Sequence, residues 1–270
     1  MQWQTVFQNV QAVALDVGSI SGGFDSLNLL ISLSLVAVLT IVSGVKRILD
    51  GPGTLTAIVL GVMVGTLGHW TWLLILLCFL VGGHWATRWS WDEKSARGLA
   101  ESKDGMRHWQ NVVANGGVPG LVAVGAFITE DWNGLFPVFA CGVAVAAADT
   151  FASEFGCLDD RVRMITTGRR CPAGTNGGWS PTGQFAALIG ALSIAGMSVV
   201  LGWWLQVGSI EGGATLLLVI TIIGWLGCQI DSLFGALLEN RGLIGKGHVN
   251  MLAIGFGSLF AWLIFSSIGW

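Results

Sequence analysis

The 270-residue chain is 53% hydrophobic and only 11% charged, with 40 Gly, 14 Trp and no Tyr. Soluble domains average about 25% charged residues, so this composition, with a mean hydropathy of +0.71, excludes a soluble domain and specifies an integral membrane protein. The formal net charge of -3 says less than the placement of the charges, and no nucleic-acid partner is expected.

Residues 1–26 contain no Lys or Arg, whereas a signal peptide needs a basic n-region and a transit peptide is Arg-rich. This stretch reads as a short interfacial segment anchored by Trp3 and Phe7. A membrane-spanning helix needs roughly 17–25 mostly apolar residues. Apolar runs of that kind predict eight spans, at 27–45, 53–68, 70–87, 110–128, 134–153, 182–206, 214–238 and 249–269. The second is short, and its border with the third lies near His69. The expectation is a single all-α domain over 1–270, a polytopic bundle with no repeat and no linker. Five scattered cysteines predict free thiols, with Cys78, Cys141 and Cys228 acting as small hydrophobes inside spans.

The 13 basic residues test this reading. They fall at 46–47, within 88–107, within 161–170 and at 241–246, while the alternate connections carry none. Eight spans therefore place every Lys and Arg on one face. The positive-inside rule makes that face cytoplasmic and puts both termini on the opposite side. The polar loops 88–109, 154–181 and 239–248 then converge on one surface, which is the expected site of function.

Three carboxylates stand near that surface. Intramembrane acids are expensive and mark function. Asp149 lies about a turn from the cytoplasmic end of the fifth span and shares a helical face with Ser153, while Glu154 lies about 140° around the helix and joins them only if the helix ends there. Gly156 supplies such an end. Asp231 lies eight residues before Glu239, roughly 12 Å of helix rise, beside a small-residue face of Ser232, Gly235 and Ala236. Asn115 and Asn250 are amides near span starts, suited either to interhelical hydrogen bonds or to a ligand. Between spans five and six come Arg163, Arg169 and Arg170, then Gly174-Thr175-Asn176-Gly177-Gly178. Arginines and backbone N–H groups hold phosphate, and carboxylates hold a divalent cation. Composition alone also fits a solvated loop with topology-setting arginines. The glycine tract lacks the Lys and spacing of a Walker A loop, and the four His show no metal spacing.

These motifs resemble the integral-membrane phytyl-phosphate kinase family and its animal transmembrane relatives. The residues that carry the likeness are Asp149-Thr150-Phe151-Ala152-Ser153-Glu154, then Gly174-Thr175-Asn176-Gly177-Gly178-Trp179-Ser180 with Gly183. Lys94, Gly98, Glu101, Gly105, Arg107, Asn115-Gly116, Asp231-Ser232 with Gly235-Ala236, and Asn250 extend it from about Lys46 to the end of the chain. Phe151 stands where Trp is usual in that family, and Trp179 where a small aliphatic is usual. The resemblance implies phosphoryl transfer from CTP or another nucleoside triphosphate to phytyl phosphate or a related prenyl monophosphate, with Mg²⁺ as cofactor. Asp149, Glu154 and Asp231 are the expected catalytic, Mg²⁺-holding residues. Lys94, Arg107, Asn115, Arg163, Arg169, Arg170, Gly174, Thr175, Asn176, Gly177, Gly178 and Ser180 are expected on the phosphates, and Ser153, Gly235 and Asn250 on the lipid. The lipid is expected in a lateral groove between spans five and seven. The same likeness extends distantly to dolichol kinase and to CTP-dependent lipid cytidylyltransferases, which gives the alternative chemistry. A transporter of an anionic solute is the non-enzyme alternative, opposed by the gathering of polar groups on one face and the lack of an inverted repeat.

Overall fold

The computed structural model describes residues 21–100, 104–204 and 210–270. Trp3, Phe7 and Glu101, named above, lie outside the described residues. The chain forms α1 (Ser26–Lys46), α2 (Gly51–Leu67), α3 (Trp70–Arg88), the short α4 (Trp91–Ala96), α5 (Trp109–Thr129) and α6 (Trp132–Gly156). A two-stranded hairpin follows, β1 (Arg163–Met164) and β2 (Gly178–Trp179), then α7 (Pro181–Trp204), α8 (Ile210–Phe234) and α9 (Lys246–Ser267). Among the described residues, seven helices are long and apolar enough to cross a membrane, and α2 is a shorter apolar helix of 17 residues. All eight expected runs are helical through most of their described residues, in a polytopic all-α bundle, and residues 205–206 of the sixth lie outside the described residues.

Several acids serve to start helices. The Asp25 carboxylate accepts from the Leu27 and Asn28 N–H groups, Asp50 from Gly53 and Asp131 from Gly134. Each satisfies N–H groups that a helix leaves without intrahelical partners. Pro52 in the first turn of α2 adds a residue with no N–H to satisfy. The border between spans two and three resolves at Gly68 and His69, with the His69 ring against the Thr71 N–H and hydroxyl.

Helix α6 is the hub. It touches α3, α5, α7, α8 and α9, and its Phe136–Ala148 run is buried throughout. Small residues permit the close approach: a Cβ on Gly190 of α7 would meet the Ala147 carbonyl, and one on Gly224 of α8 would meet Ala191 and Ala144. Lipid offers no hydrophobic drive between helices, so backbone proximity and van der Waals contact hold α6, α7 and α8 together.

The two ends of the bundle differ. At one end, the Asn28 amide donates to the Gly23 and Gly65 carbonyls and its oxygen accepts the Trp70 N–H, tying α1, α2 and α3. The other end carries the basic loops. Leu49 pairs with Arg107, Asp50 with His108, Arg97 with Asp160, and Asn240 donates to the Asn176 carbonyl. Those contacts gather the loops that the charge pattern predicted to share a face.

Candidate functional site

The polar end contains two joined cavities, of about 200 and 230 Å³. Asp149, Ser153 and Lys246 line both and form the partition between them. The first cavity is walled by the glycine tract, the end of α6, the start of α7 and the last turns of α8. The second lies between α5, α6 and the start of α9, and includes Arg107, Asn111, Asn115 and Asn250.

Asp149 of α6 and Asp231 of α8 face each other closely enough to hydrogen-bond. Two adjacent carboxylates repel unless a proton or cation lies between them. Lys246 adds positive charge beside Asp231 and Glu239. Asn250, one turn beyond Lys246, bridges the two sides. Its Nδ2 lies 3.3 Å from Asp231 Oδ1 and 3.0 Å from the Lys246 carbonyl in the amide orientation that gives both acceptors a donor. The Asn115 Nδ2 donates to the Asn111 carbonyl within α5, and its side chain faces Asn250.

The glycine tract is built as a wall. Gly174 and Gly177 have φ of 76° and 77°, a left-handed conformation that costs glycine little. A Cβ on Gly177 would run into Ala236 and the Ser232 carbonyl, so this loop rests directly on α8. There α8 widens into a π-helical turn, Gly235–Glu239, a local form frequent at functional sites. Hydrogen bonds from Ile165 to the Gly177 carbonyl, and from the Thr175 hydroxyl to the Pro172 carbonyl, fix the tract.

Several predicted residues are engaged by partners within the protein, although Glu154, Ser180 and Gly235 also line the first cavity. Glu154 is 3% exposed, and its carboxylate is occupied: Oε1 accepts from the Thr87 hydroxyl and Oε2 from the Lys94 ammonium, each at 2.6 Å. Lys94 is fully buried and also donates to the Ala86 carbonyl at 3.0 Å. The expected phosphate contact of Lys94 and cation contact of Glu154 give way to an ion pair that locks α4 onto α3 and α6. Arg163, Arg169 and Arg170 are exposed on the hairpin, outside both cavities. Ser180 is the N-cap of α7, its hydroxyl accepting the Gly183 N–H at 3.1 Å. Gly235 contacts Asn176 and Gly177, so the small face of α8 receives the glycine tract, with Ser232 and Gly235 lining the first cavity beside it. Leu233 and Leu237 are exposed on the outside of α8, and the Phe234 ring lies tilted against Phe256, with ring centres 5.7 Å apart.

Other residues of the site were not foreseen. Lys246 lines both cavities, and its i, i+4 spacing to Asn250 was a readable signal. Gln184 also lines the first cavity and accepts the Trp225 indole N–H at 2.9 Å. Beside the site, Asp159 caps α7 through the Thr182 N–H and holds Arg161 through two hydrogen bonds. The Arg161 guanidinium keeps the Asp159 carboxyl well below the usual carboxylate range.

Among the described residues, no group of three or more His, Cys, Asp or Glu is placed to hold a metal ion. Two facing carboxylates still suit Mg²⁺, which is commonly held by one or two carboxylates with the remaining positions left to water and substrate phosphate.

No solved structure matches the chain significantly. An uncharacterized membrane protein of Methanocaldococcus jannaschii is 30% identical over 243 residues, covering 90% of this chain and 96% of its own length. An uncharacterized membrane protein of Synechocystis is 31% identical over 199 residues, covering 73% of this chain and 74% of its own. Protein VTE6, chloroplastic, of Arabidopsis thaliana is 26% identical over 224 residues, covering 80% of this chain and 65% of its own. The model of the integral membrane protein family DUF92 matches residues 34–257, most of the chain and every cavity-lining residue named above, and the chain belongs to that family.

Proposed function

We propose that this protein is a membrane phosphotransferase that moves the terminal phosphate of CTP, or another nucleoside triphosphate, onto a prenyl monophosphate such as phytyl phosphate. The observation that carries the reading is the meeting of Asp149 and Asp231, from separate helices, in a cavity walled by the glycine tract. The motif likeness to phytyl-phosphate kinases supports the substrate class. The positive-inside distribution favours a cytoplasmic active face.

In this reading an oxygen of the acceptor phosphate attacks the terminal phosphorus, a new P–O bond forms, and the bridging P–O bond breaks to release the nucleoside diphosphate. The acceptor is already anionic, since the second pKa of a phosphate ester lies near 6, so no strong base is required. Positioning and charge neutralisation then dominate. Mg²⁺ held by Asp149 and Asp231 would screen the phosphate charge. Lys246 and Arg107, which line the second cavity with Asp149, neutralise phosphate, and the glycine tract allows close approach of backbone to the nucleotide. The exposed Arg163, Arg169 and Arg170 draw anionic nucleotide toward the cavity without entering it.

Incubation of purified protein with Mg²⁺, CTP and phytyl phosphate is expected to yield CDP and phytyl diphosphate. Release of pyrophosphate with a CDP-linked lipid would instead identify a cytidylyltransferase.

A further inference from the structure

The glycine tract rests on the small face of α8, and a different part of the bundle offers an apolar chain a place. A cleft between α1, α2, α3 and α5 is lined by Leu39, Ala57, Leu60, Leu76 and Val112, all partly accessible. Its walls are almost wholly aliphatic. Its polar end alone breaks the pattern, with Arg107, Asn111 and Asn115. Those same three residues line the second polar cavity, which continues to Asp149 and Lys246.

The polar end is a built feature. Arg107 exchanges backbone hydrogen bonds with Ile48 and Asp50 at 3.0 and 3.2 Å. Its guanidinium lies 5.2 Å from the centre of the Phe79 ring and rests on Gly83 of α3, where a Cβ would displace it. The cation is thus fixed where an apolar cleft opens into the cavity lined by Asp149. An uncharged membrane lipid tail has no use for such a neighbour. An anionic head group with one long apolar chain matches both halves.

We propose that this cleft is the binding site for the hydrocarbon chain of a long-chain monophosphate, whose phosphate sits at Arg107, Asn111 and Asn115 on the way to Asp149. The head-group assignment rests on the phosphotransfer reading, while the position of the chain rests on the cleft. The chain stays in an apolar environment throughout, which avoids exposing methylenes at about 0.8 kcal/mol each. Asn115 then has a definite role: it stands where the cleft, the second cavity and Asn250 meet.

The test uses the full chain in phosphatidylcholine nanodiscs and a hexadecyl monophosphate carrying a terminal diazirine. Photolabelling is expected on α2 and α3 near Ala57 and Leu76, to be competed by phytyl phosphate but not by phytol, and to fall at least about tenfold in Arg107→Ala. Labels on outward residues such as Leu33 or Val38, or equal labelling by the matching alcohol, would mean that only bulk lipid touches the bundle and would overturn the proposal. Labelling of the cleft without phosphoryl transfer from any nucleotide would retire the kinase reading and leave the chain site standing. Transfer with an unlabelled cleft would do the reverse. A second arm fills the cleft with Ala57→Phe. The KM for phytyl phosphate should rise about tenfold, equivalent to losing burial of about two methylenes, while a five-carbon prenyl phosphate is unaffected. Equal loss for both acceptors would place the chain elsewhere.

Discussion

Glu154 and Asp149 lie little more than one turn apart on α6, and their surroundings are opposite. Glu154 is sealed between the Thr87 hydroxyl and the Lys94 ammonium, with both of its oxygens engaged by hydrogen bonds of 2.6 Å. Asp149, in the partition between two cavities, faces another carboxylate, Asp231, in the first of them. The first arrangement compensates a buried charge inside the protein. The second gathers like charge where a ligand can reach it, which raises the energy of the empty site and lowers that of a site holding a cation. A motif that contains both acids therefore carries two kinds of information, one about how α4 docks and one about chemistry.

The largest expected effect would break the sealed side of this comparison. Glu154→Gln leaves the Lys94 ammonium buried without its countercharge, and removing one partner of a buried pair costs about 3–5 kcal/mol. A large fall in melting temperature in detergent is expected, with loss of the helical signal at lower temperature. Replacing both partners, Lys94→Met with Glu154→Leu, should recover most of that stability, because the desolvation cost of two charges disappears with them. If the double variant melts as low as the single one, the pair is doing more than holding α4, and a ligand role for Glu154 returns.

The next test sharpens the open side. Asp149→Asn relieves repulsion with Asp231 and should leave the melting temperature unchanged or slightly raised, while turnover falls by about 10²–10³, the scale for losing one preorganised charge-stabilising group. Asp231→Asn should behave alike. A variant that keeps activity, or that unfolds as Glu154→Gln does, would show that these acids are structural.

This contrast also bounds what the sequence could reveal. Hydropathy located every long helix, because twenty apolar residues in lipid have few alternatives to an α-helix. The alternation of charged and uncharged loops gathered the polar end correctly, since it depends on counting rather than on contacts. Asp149, Asp231 and the glycine tract were read into one site, and the structure brings them together. The Lys94–Glu154 pair is not legible in the sequence, because its partners are 60 residues apart and the motif likeness assigns each to a ligand rather than to the other. Gly235 shows the limit of a small-residue face: it announces close approach but not the approaching partner, here Gly177 rather than a lipid. The hairpin strands are two residues each, too short for any alternation to register. Asn28 was missed for a related reason: one amide in an apolar run leaves the hydropathy almost unchanged, although its three hydrogen bonds join three helices.

The smallest expected effect comes from the exposed counterpart of the Lys94–Glu154 pair. His108 Nδ1 lies 2.7 Å from Asp50 Oδ2, and the two residues cap α5 and α2 on either side of Arg107. Asp50 raises the pKa of His108 above its ordinary value through this hydrogen bond, and His108 lowers that of Asp50. The stability contributed by His108 is therefore full below its unfolded pKa of about 6.5 and is lost as pH rises through its higher folded value. The contribution of Asp50 is present above about 3.9 and is lost as pH falls through its lowered folded value. Their shared window runs from about pH 4 to 6.5. The His108 side chain is 45% exposed, so solvent screening keeps the whole effect below about 1 kcal/mol. Melting temperatures of the native protein and of His108→Ala, recorded from pH 5 to 8, should differ most at pH 5–6 and converge toward pH 8. Parallel curves would mean that the ring stays neutral in the pair, and that two helix starts beside Arg107 are joined by an uncharged hydrogen bond. The same substitution should change the melting temperature far less than Glu154→Gln at every pH, since burial rather than bond length separates the two pairs.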